Sequence, residues 1–190
     1  MKQKYPEKFL TIIFLLISLR LHAQQYRSEW ASLDSRPIPG WFTGAKFGIF
    51  IHWGVYSVPA WAPTDKKLSV YSKYAEWYWG RMVLDTTEVG DAFRRFHRDT
   101  YGADFRYQDF AGAFKAELFK PAEWAGILNA SGAKYVVLTS KHHAGYTLWP
   151  SRHAGNWNSA ETGPKRDLAG ELMSAVKAKG LRMGYYYSLY

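Results

Sequence analysis

Apolar positions fall into short unbroken runs and longer runs of helical spacing, and the two kinds alternate along the chain. The first run, Phe9 to Leu19, follows the basic residues Lys2, Lys4 and Lys8 and is closed by Leu21-His22-Ala23. At about eleven residues it is too short for a bilayer core, which needs about twenty as a helix. Residues 1–24 therefore read as a secretory signal peptide cleaved near Ala23, which predicts a secreted or, in a bacterium, periplasmic protein with no membrane span after its removal.

The next run, Lys46 to Gly54, is short, apolar on both faces and rich in Phe and Ile, the mark of a buried strand. Before it, two prolines and a glycine in Ser35 to Gly40 make a loop. Residues 55–115 form a long excursion dense in Tyr and Trp, with helical pieces expected at Asp91–Arg98 and Gln108–Phe114. Pro121 then suits a first helical position, Trp124, Ile127 and Leu128 make one apolar stripe, and Gly132 ends it. A second strand is predicted over Lys134–Ser140. Asp167 is a helix N-cap ahead of the stripe Leu168, Leu172, Ala175 and Val176, with Lys177 and Lys179 at the negative helix end. Gly180 closes that helix, and Leu181–Tyr187 is the third strand.

Strand, excursion, helix, strand, helix, strand is a βα repeat, which builds a parallel sheet covered by helices. A dinucleotide-binding sheet would carry G-x-G-x-x-G after its first strand. Here that strand ends in His52-Trp53-Gly54, so a barrel is favoured. A (β/α)8 barrel takes about 250 residues. The three βα units here read as the N-terminal portion of a TIM-type barrel, with residues 25–190 an incomplete catalytic domain.

Composition narrows the function classes. Residues 25–190 carry 21 basic and 15 acidic side chains, a net +6, scattered rather than gathered on one face. No nucleic-acid footprint is visible in that pattern. With no cysteine, disulfide staples are excluded and an ordinary core must supply stability. The aromatic share of 18% suits both a Trp-rich core and sugar recognition, in which ring faces stack and Trp N–H and Tyr O–H groups hydrogen-bond.

Barrel active sites lie at the C-terminal strand ends, and all three ends here carry polar rings: His52 with Trp53, Lys141-His142-His143, and Tyr185-Tyr186-Tyr187. Side-chain alternation puts Gly48, Phe50 and His52 on the barrel-interior face and Phe47, Ile49 and Ile51 on the helix face. Val136 and Leu138 are likewise read as interior. His142 and His143 reach one pocket only if the chain bends there, which Gly145 would permit. Tyr186 shares a face with Gly184, leaving Tyr185 and Tyr187 for packing. Three histidines could ligate zinc, making a metal-dependent barrel hydrolase an alternative. The absence of His-x-His and of any Asp or Glu at these strand ends favours a site without metal or cofactor.

Five stretches carry a resemblance: Trp41–Trp61 (WFTGAKFGIFIHWGVYSVPAW), Tyr74–Tyr78 (YAEWY), Phe114–Trp124 (FKAELFKPAEW), Ala133–Gly145 (AKYVVLTSKHHAG) and Gly163–Leu168 (GPKRDL). In them the chain resembles the α-L-fucosidases of glycoside hydrolase family 29, from about Trp41 to Tyr190. The resemblance implies a retaining exo-glycosidase that hydrolyses terminal α-L-fucose from a fucosylated glycan or oligosaccharide. It implies that His52, Glu76, Trp77, His142, His143 and Tyr186 hold the fucose ring. Neutral imidazole offers a sugar hydroxyl one donor and one acceptor, and Glu76 can accept from two hydroxyls. Trp77 can lie against the apolar face and methyl group of a 6-deoxy sugar. Ala144 departs from the Asp common in the family after the His pair. The nucleophile, an Asp at the end of the fourth strand, and the acid/base carboxylate are expected beyond Tyr190. No acidic residue here replaces them, since Asp167 reads as a cap and Glu171 as first-turn charge. The chain alone is therefore expected to be inactive, and a fucose-binding fragment without catalysis is a further alternative.

Overall fold

The computed structural model describes residues 26–189; the expected signal peptide and its cleavage position lie outside the described residues. They fall into two units divided between Gly44 and Ala45. Residues 26–44 hold helix α1 (Trp30–Asp34) and most of α2 (Gly40–Ala45), neither of which the apolar pattern marks. No helix among the described residues is long and apolar enough to cross a membrane.

The second unit is built on three parallel strands, β1 (Gly48–Ile51), β2 (Tyr135–Lys141) and β3 (Arg182–Tyr187), ordered β1-β2-β3. Between β1 and β2 the excursion folds into 3-10 turns and helices α3 (Tyr78–Val83), α4 (Glu88–Tyr101), α5 (Phe110–Ala113) and α6 (Pro121–Ala130). Helix α7 (Leu168–Ala178) connects β2 to β3. The expected helix at Asp91–Arg98 is real but longer. Most of Gln108–Phe114 is helical, opening as a 3-10 turn before α5. Pro121 opens α6 as predicted, and Gly132 and Gly180 take positive φ just past their helices, where a side chain would be strained.

Asp167 caps α7 by accepting from the Gly170 backbone N–H at 2.9 Å. A Cβ on Gly170 would stand 2.4 Å from an Asp167 carboxylate oxygen, so a larger residue there would make the capping side chain shift. Asp167→Ala should cost about 1 kcal/mol, read as a lower urea midpoint at unchanged slope.

Register decides which face each strand residue serves. Phe50 pairs with Val137, which pairs with Gly184, and Thr139 pairs with Tyr186. These residues share one face with Gly48. The opposite face carries Val136 and Leu138, fully buried in the core with Leu168, Leu172 and Val176 of α7, and Ile49 and Ile51 pack against that cluster. The interior reading holds for Phe50 and fails for Val136 and Leu138. On an all-apolar strand, periodicity cannot distinguish the two faces, and the β2 register puts this pair against the helices. At roughly 1.5–3 kcal/mol per buried aliphatic side chain, this helix-side layer is a principal source of stability for the sheet. A Cβ on Gly48 would meet the Tyr135 ring at 2.1 Å, so glycine admits that ring across the paired strands.

The excursion has its own aromatic centre. Tyr78, Phe93, Tyr107 and Phe110 are buried, with edge-on ring contacts at 5.3 Å between Tyr78 and Phe93 and 5.9 Å between Tyr78 and Phe110. His97 is buried among them. Its Nδ1 lies 3.1 Å from the Tyr78 hydroxyl and its Nε2 2.7 Å from the Phe105 carbonyl. A carbonyl only accepts, so Nε2 donates and Nδ1 accepts from Tyr78. This anchors α3 immediately after Glu76 and Trp77.

Candidate functional site

Each strand end is held by side-chain hydrogen bonds that also aim the rings. β1 stops at Ile51, so His52 lies one residue past it. The buried Thr139 hydroxyl grips the backbone on both sides of His52. It accepts from the Trp53 N–H at 3.1 Å and lies within donating distance of the Ile51 and Trp53 carbonyls, at 3.2 and 3.3 Å. Its one proton goes to a carbonyl, so the Tyr56 hydroxyl, 3.2 Å away, is the donor in their contact.

The bend required of β2 has two parts. A β-bulge shifts the register between Thr139 and Lys141, which re-aims a strand end. A turn follows, closed by the Gly145 N–H on the His142 carbonyl, with Gly145 at φ +82°. The Ser140 hydroxyl donates to the Tyr186 carbonyl at 2.9 Å, tying β2 to β3 behind the tyrosine. His143 Nδ1 lies 2.7 Å from the Ser188 hydroxyl.

These devices bring the predicted residues together. The His142 ring centre lies 5.7 Å from His52, 4.3 Å from His143 and 5.9 Å from Tyr186, and His52 is 6.3 Å from Tyr186. Phe50 stacks on His52 at 5.3 Å. Trp77 arrives from the excursion on a 3-10 turn, Ala75–Trp77, with its ring 4.7 Å from His143. Arg81 sits over the Trp77 ring at 5.5 Å and is paired with Asp85 at 2.6 Å. Glu76, on the same turn, acts electrostatically on His143 and Tyr56. Tyr185 and Tyr187 lie outside the cluster, but both stay exposed rather than packed: the Tyr185 hydroxyl donates to the Ala169 carbonyl, and Lys141 lies over the Tyr187 ring.

Burial, with smaller repulsion from His143, His52 and Lys141, lowers the His142 pKa to about 4, so the ring is neutral at neutral pH. The His143 pKa is lowered by burial and Lys141, with Glu76 opposing. Burial, the largest effect, and the Glu76 charge raise the Tyr56 pKa, against the bond to Thr139. An unfolded histidine takes up a proton near pH 6.5 and folded His142 only near pH 4. The unfolded state then binds more protons between those values, and stability falls as the pH drops through that window. His142→Gln should flatten this part of the stability–pH curve, measured by urea unfolding between pH 7 and 4.

Sequence reasoning missed Thr139, Tyr56 and Ser188. Thr139 was hidden because the reading that turned Val136 and Leu138 inward turned it outward, and only the strand register places it with Val137 on the inward face. Tyr56 lies in a 3-10 turn, Val55–Ser57, that carries no periodicity. Ser188 is identified only by the bond it makes.

A cavity of about 210 Å³ lies between Trp77, Gly80, Arg81, Leu84, Asp85 and His143. Another of about 400 Å³, apolar and lined by Trp149, Met173, Tyr185 and Tyr187 among others, contains none of the predicted ring-holding residues. Its size does not make it the site, since the convergent polar rings lie elsewhere. Among the described residues, no group of three or more His, Cys, Asp or Glu side chains is placed to hold a metal.

Over residues 14–190 the sequence matches the family model described as Alpha-L-fucosidase. The alpha-L-fucosidase of Dictyostelium discoideum is 51% identical over 184 residues, covering 96% of this chain and 38% of that protein. A solved alpha-L-fucosidase superposes with a TM-score of 0.75 at 45% identity, covering 86% of this chain and 38% of that one. The crystal structure of Thermotoga maritima alpha-fucosidase in complex with fucose gives a TM-score of 0.74 at 45% identity, covering 86% and 37%. The chain thus spans little more than a third of each of these relatives. The three parallel strands, their helices and this likeness to fucosidase catalytic domains bear out the reading of part of a TIM-type barrel.

Proposed function

This chain belongs to the alpha-L-fucosidase family, and we propose that its strand-end rings hold the terminal α-L-fucose of a glycan while a retaining glycosidase removes it. The observation that carries this reading is the convergence of His52, His142, His143 and Tyr186 from three strand ends on one ring cluster. Trp77 and Glu76 are delivered beside it by the excursion. Uncharged His142 suits neutral sugar hydroxyls, each of which both donates and accepts. Trp77, 40% exposed, has ring area left for the apolar face and methyl group of a 6-deoxy sugar.

A retaining mechanism needs two carboxyl groups about 5–5.5 Å apart, one as nucleophile and one as acid/base. Glu76 is assigned here to the sugar hydroxyls. Asp167 is occupied as a helix cap and Glu171 by its ion pair with Arg166. We assign the nucleophile Asp and the acid/base to the part of the family's length beyond Tyr190, and read residues 1–24 as an export signal cleaved near Ala23. On this assignment residues 25–190 bind fucose and do not turn over an aryl α-L-fucoside.

The test is a titration of the chain, labelled with nitrogen-15 in its histidines, with L-fucose. Resonances of His52, His142 and His143 should move while His97, inside the excursion core, stays. Movement with zinc but none with L-fucose would contradict the reading and favour a metal-dependent hydrolase.

A further inference from the structure

Three buried side-chain polar atoms have no hydrogen-bond partner among the described residues: Arg81 Nε, beside Trp77, and two that share a cavity behind the ring cluster, Nδ1 of His142 and the hydroxyl of Tyr107. His142 and Tyr107 are 6% and 2% exposed. Leaving either unpaired forfeits its hydration with nothing in return, and buried polar groups are paired as a rule, with protein or ordered water. Both residues line one small cavity, together with Tyr56, Thr139, Ala144 and Tyr146. It has room of about 10 Å³ for a water-sized sphere, the lower end of what one water requires.

We propose that one buried water bridges the Tyr107 hydroxyl and His142 Nδ1, and that this bridge fixes His142 as the tautomer with its proton on Nε2. Tyr107 is then a positioning residue for the histidine. Its O–H has a proton to give, an unprotonated Nδ1 has a lone pair to fill, and one water accepts the first while donating to the second. In the other tautomer Nδ1–H donates to the water, and the Tyr107 proton then competes for the same water oxygen or is left without an acceptor, a loss the first arrangement avoids. Burial keeps Tyr107 protonated by raising its pKa, and keeps His142 neutral, so neither group leaves these roles near neutral pH. With Nδ1 committed to the water, Nε2–H is the donor that remains for a ligand. Only the identity of that ligand rests on the fucose reading above.

The experiment is a two-bond proton–nitrogen correlation spectrum of the full chain, nitrogen-15-labelled in histidine, at pH 7 without sugar. His142 should show the Nε2–H pattern. In Tyr107→Phe its Nδ1 resonance should shift, while His97, held by Tyr78 and Phe105, stays in place and reports an intact fold. An Nδ1–H pattern in the unmodified chain would overturn the proposal, as would an unmoved Nδ1 resonance in a folded Tyr107→Phe chain. Should the variant lose the His97 signal, a high-resolution crystal structure of the unmodified chain decides. An ordered water within about 3 Å of both atoms supports the bridge, and a cavity without one refutes it. No arm contains fucose, so failure here is separable from failure of the fucose titration.

Discussion

Replacing His142 should cost more activity than any other single change in the ring cluster. The measurement needs both catalytic carboxylates, so it is made in a chimera. Residues 41–190 replace the corresponding part of the Thermotoga maritima alpha-fucosidase, with which this chain is 45% identical. His142→Ala or His142→Phe should lower kcat/KM on an aryl α-L-fucoside by about 30- to 1,000-fold. That range corresponds to roughly 2–4 kcal/mol for a buried polar partner that also orients the reacting sugar. His142 is singled out because its ring centre lies within 6 Å of His52, His143, Tyr56 and Tyr186. The phenylalanine variant fills the same space, so it separates lost hydrogen bonding from lost packing. Full activity in His142→Phe would remove the ring from the sugar site.

The second large effect is on stability. Thr139→Val keeps the side-chain shape and deletes the hydroxyl that grips Ile51 and Trp53 on either side of His52. The Trp53 N–H and the buried Tyr56 hydroxyl then lose their partner, at about 1–3 kcal/mol each, the former discounted because Trp53 is only partly buried. The expected loss is about 2–4 kcal/mol, a large share of the 5–15 kcal/mol typical of a domain. Thr139→Ser keeps every one of these bonds and gives up one methyl group, about 1 kcal/mol. Urea unfolding of both variants checks the ordering. Equal losses in Val and Ser would mean that the hydroxyl does not hold the strand end.

The contrast between Thr139 and His142 shows what was legible beforehand. The βα order could be read because its elements follow the two periods of strands and helices, and because Pro121, Gly132, Asp167 and Gly180 punctuate them. The strand-end histidines were visible because a barrel places its chemistry there. Helix α3 was not visible, because its six residues, Tyr78 to Val83 (YWGRMV), are too few to show a helical period and Gly80 interrupts them. The facing of Val136 and Leu138 was misread for a related reason: with apolar neighbours on both sides, only the pairing register assigns their face. Thr139 is silent because its role is a hydrogen bond to a segment more than eighty residues away, which no local pattern encodes. The β2 bulge belongs to the same class. The sequence required a bend for both histidines to serve one pocket, but only strand pairing located it between Thr139 and Lys141.

The central claim is that the strand-end rings form a fucose site, and a crystal of this chain soaked with L-fucose tests it most directly. The account predicts density for one sugar ring with hydroxyls within hydrogen-bonding distance of His52 and His142 and its apolar face against Trp77. A sugar bound elsewhere, with these side chains uncontacted, would contradict it.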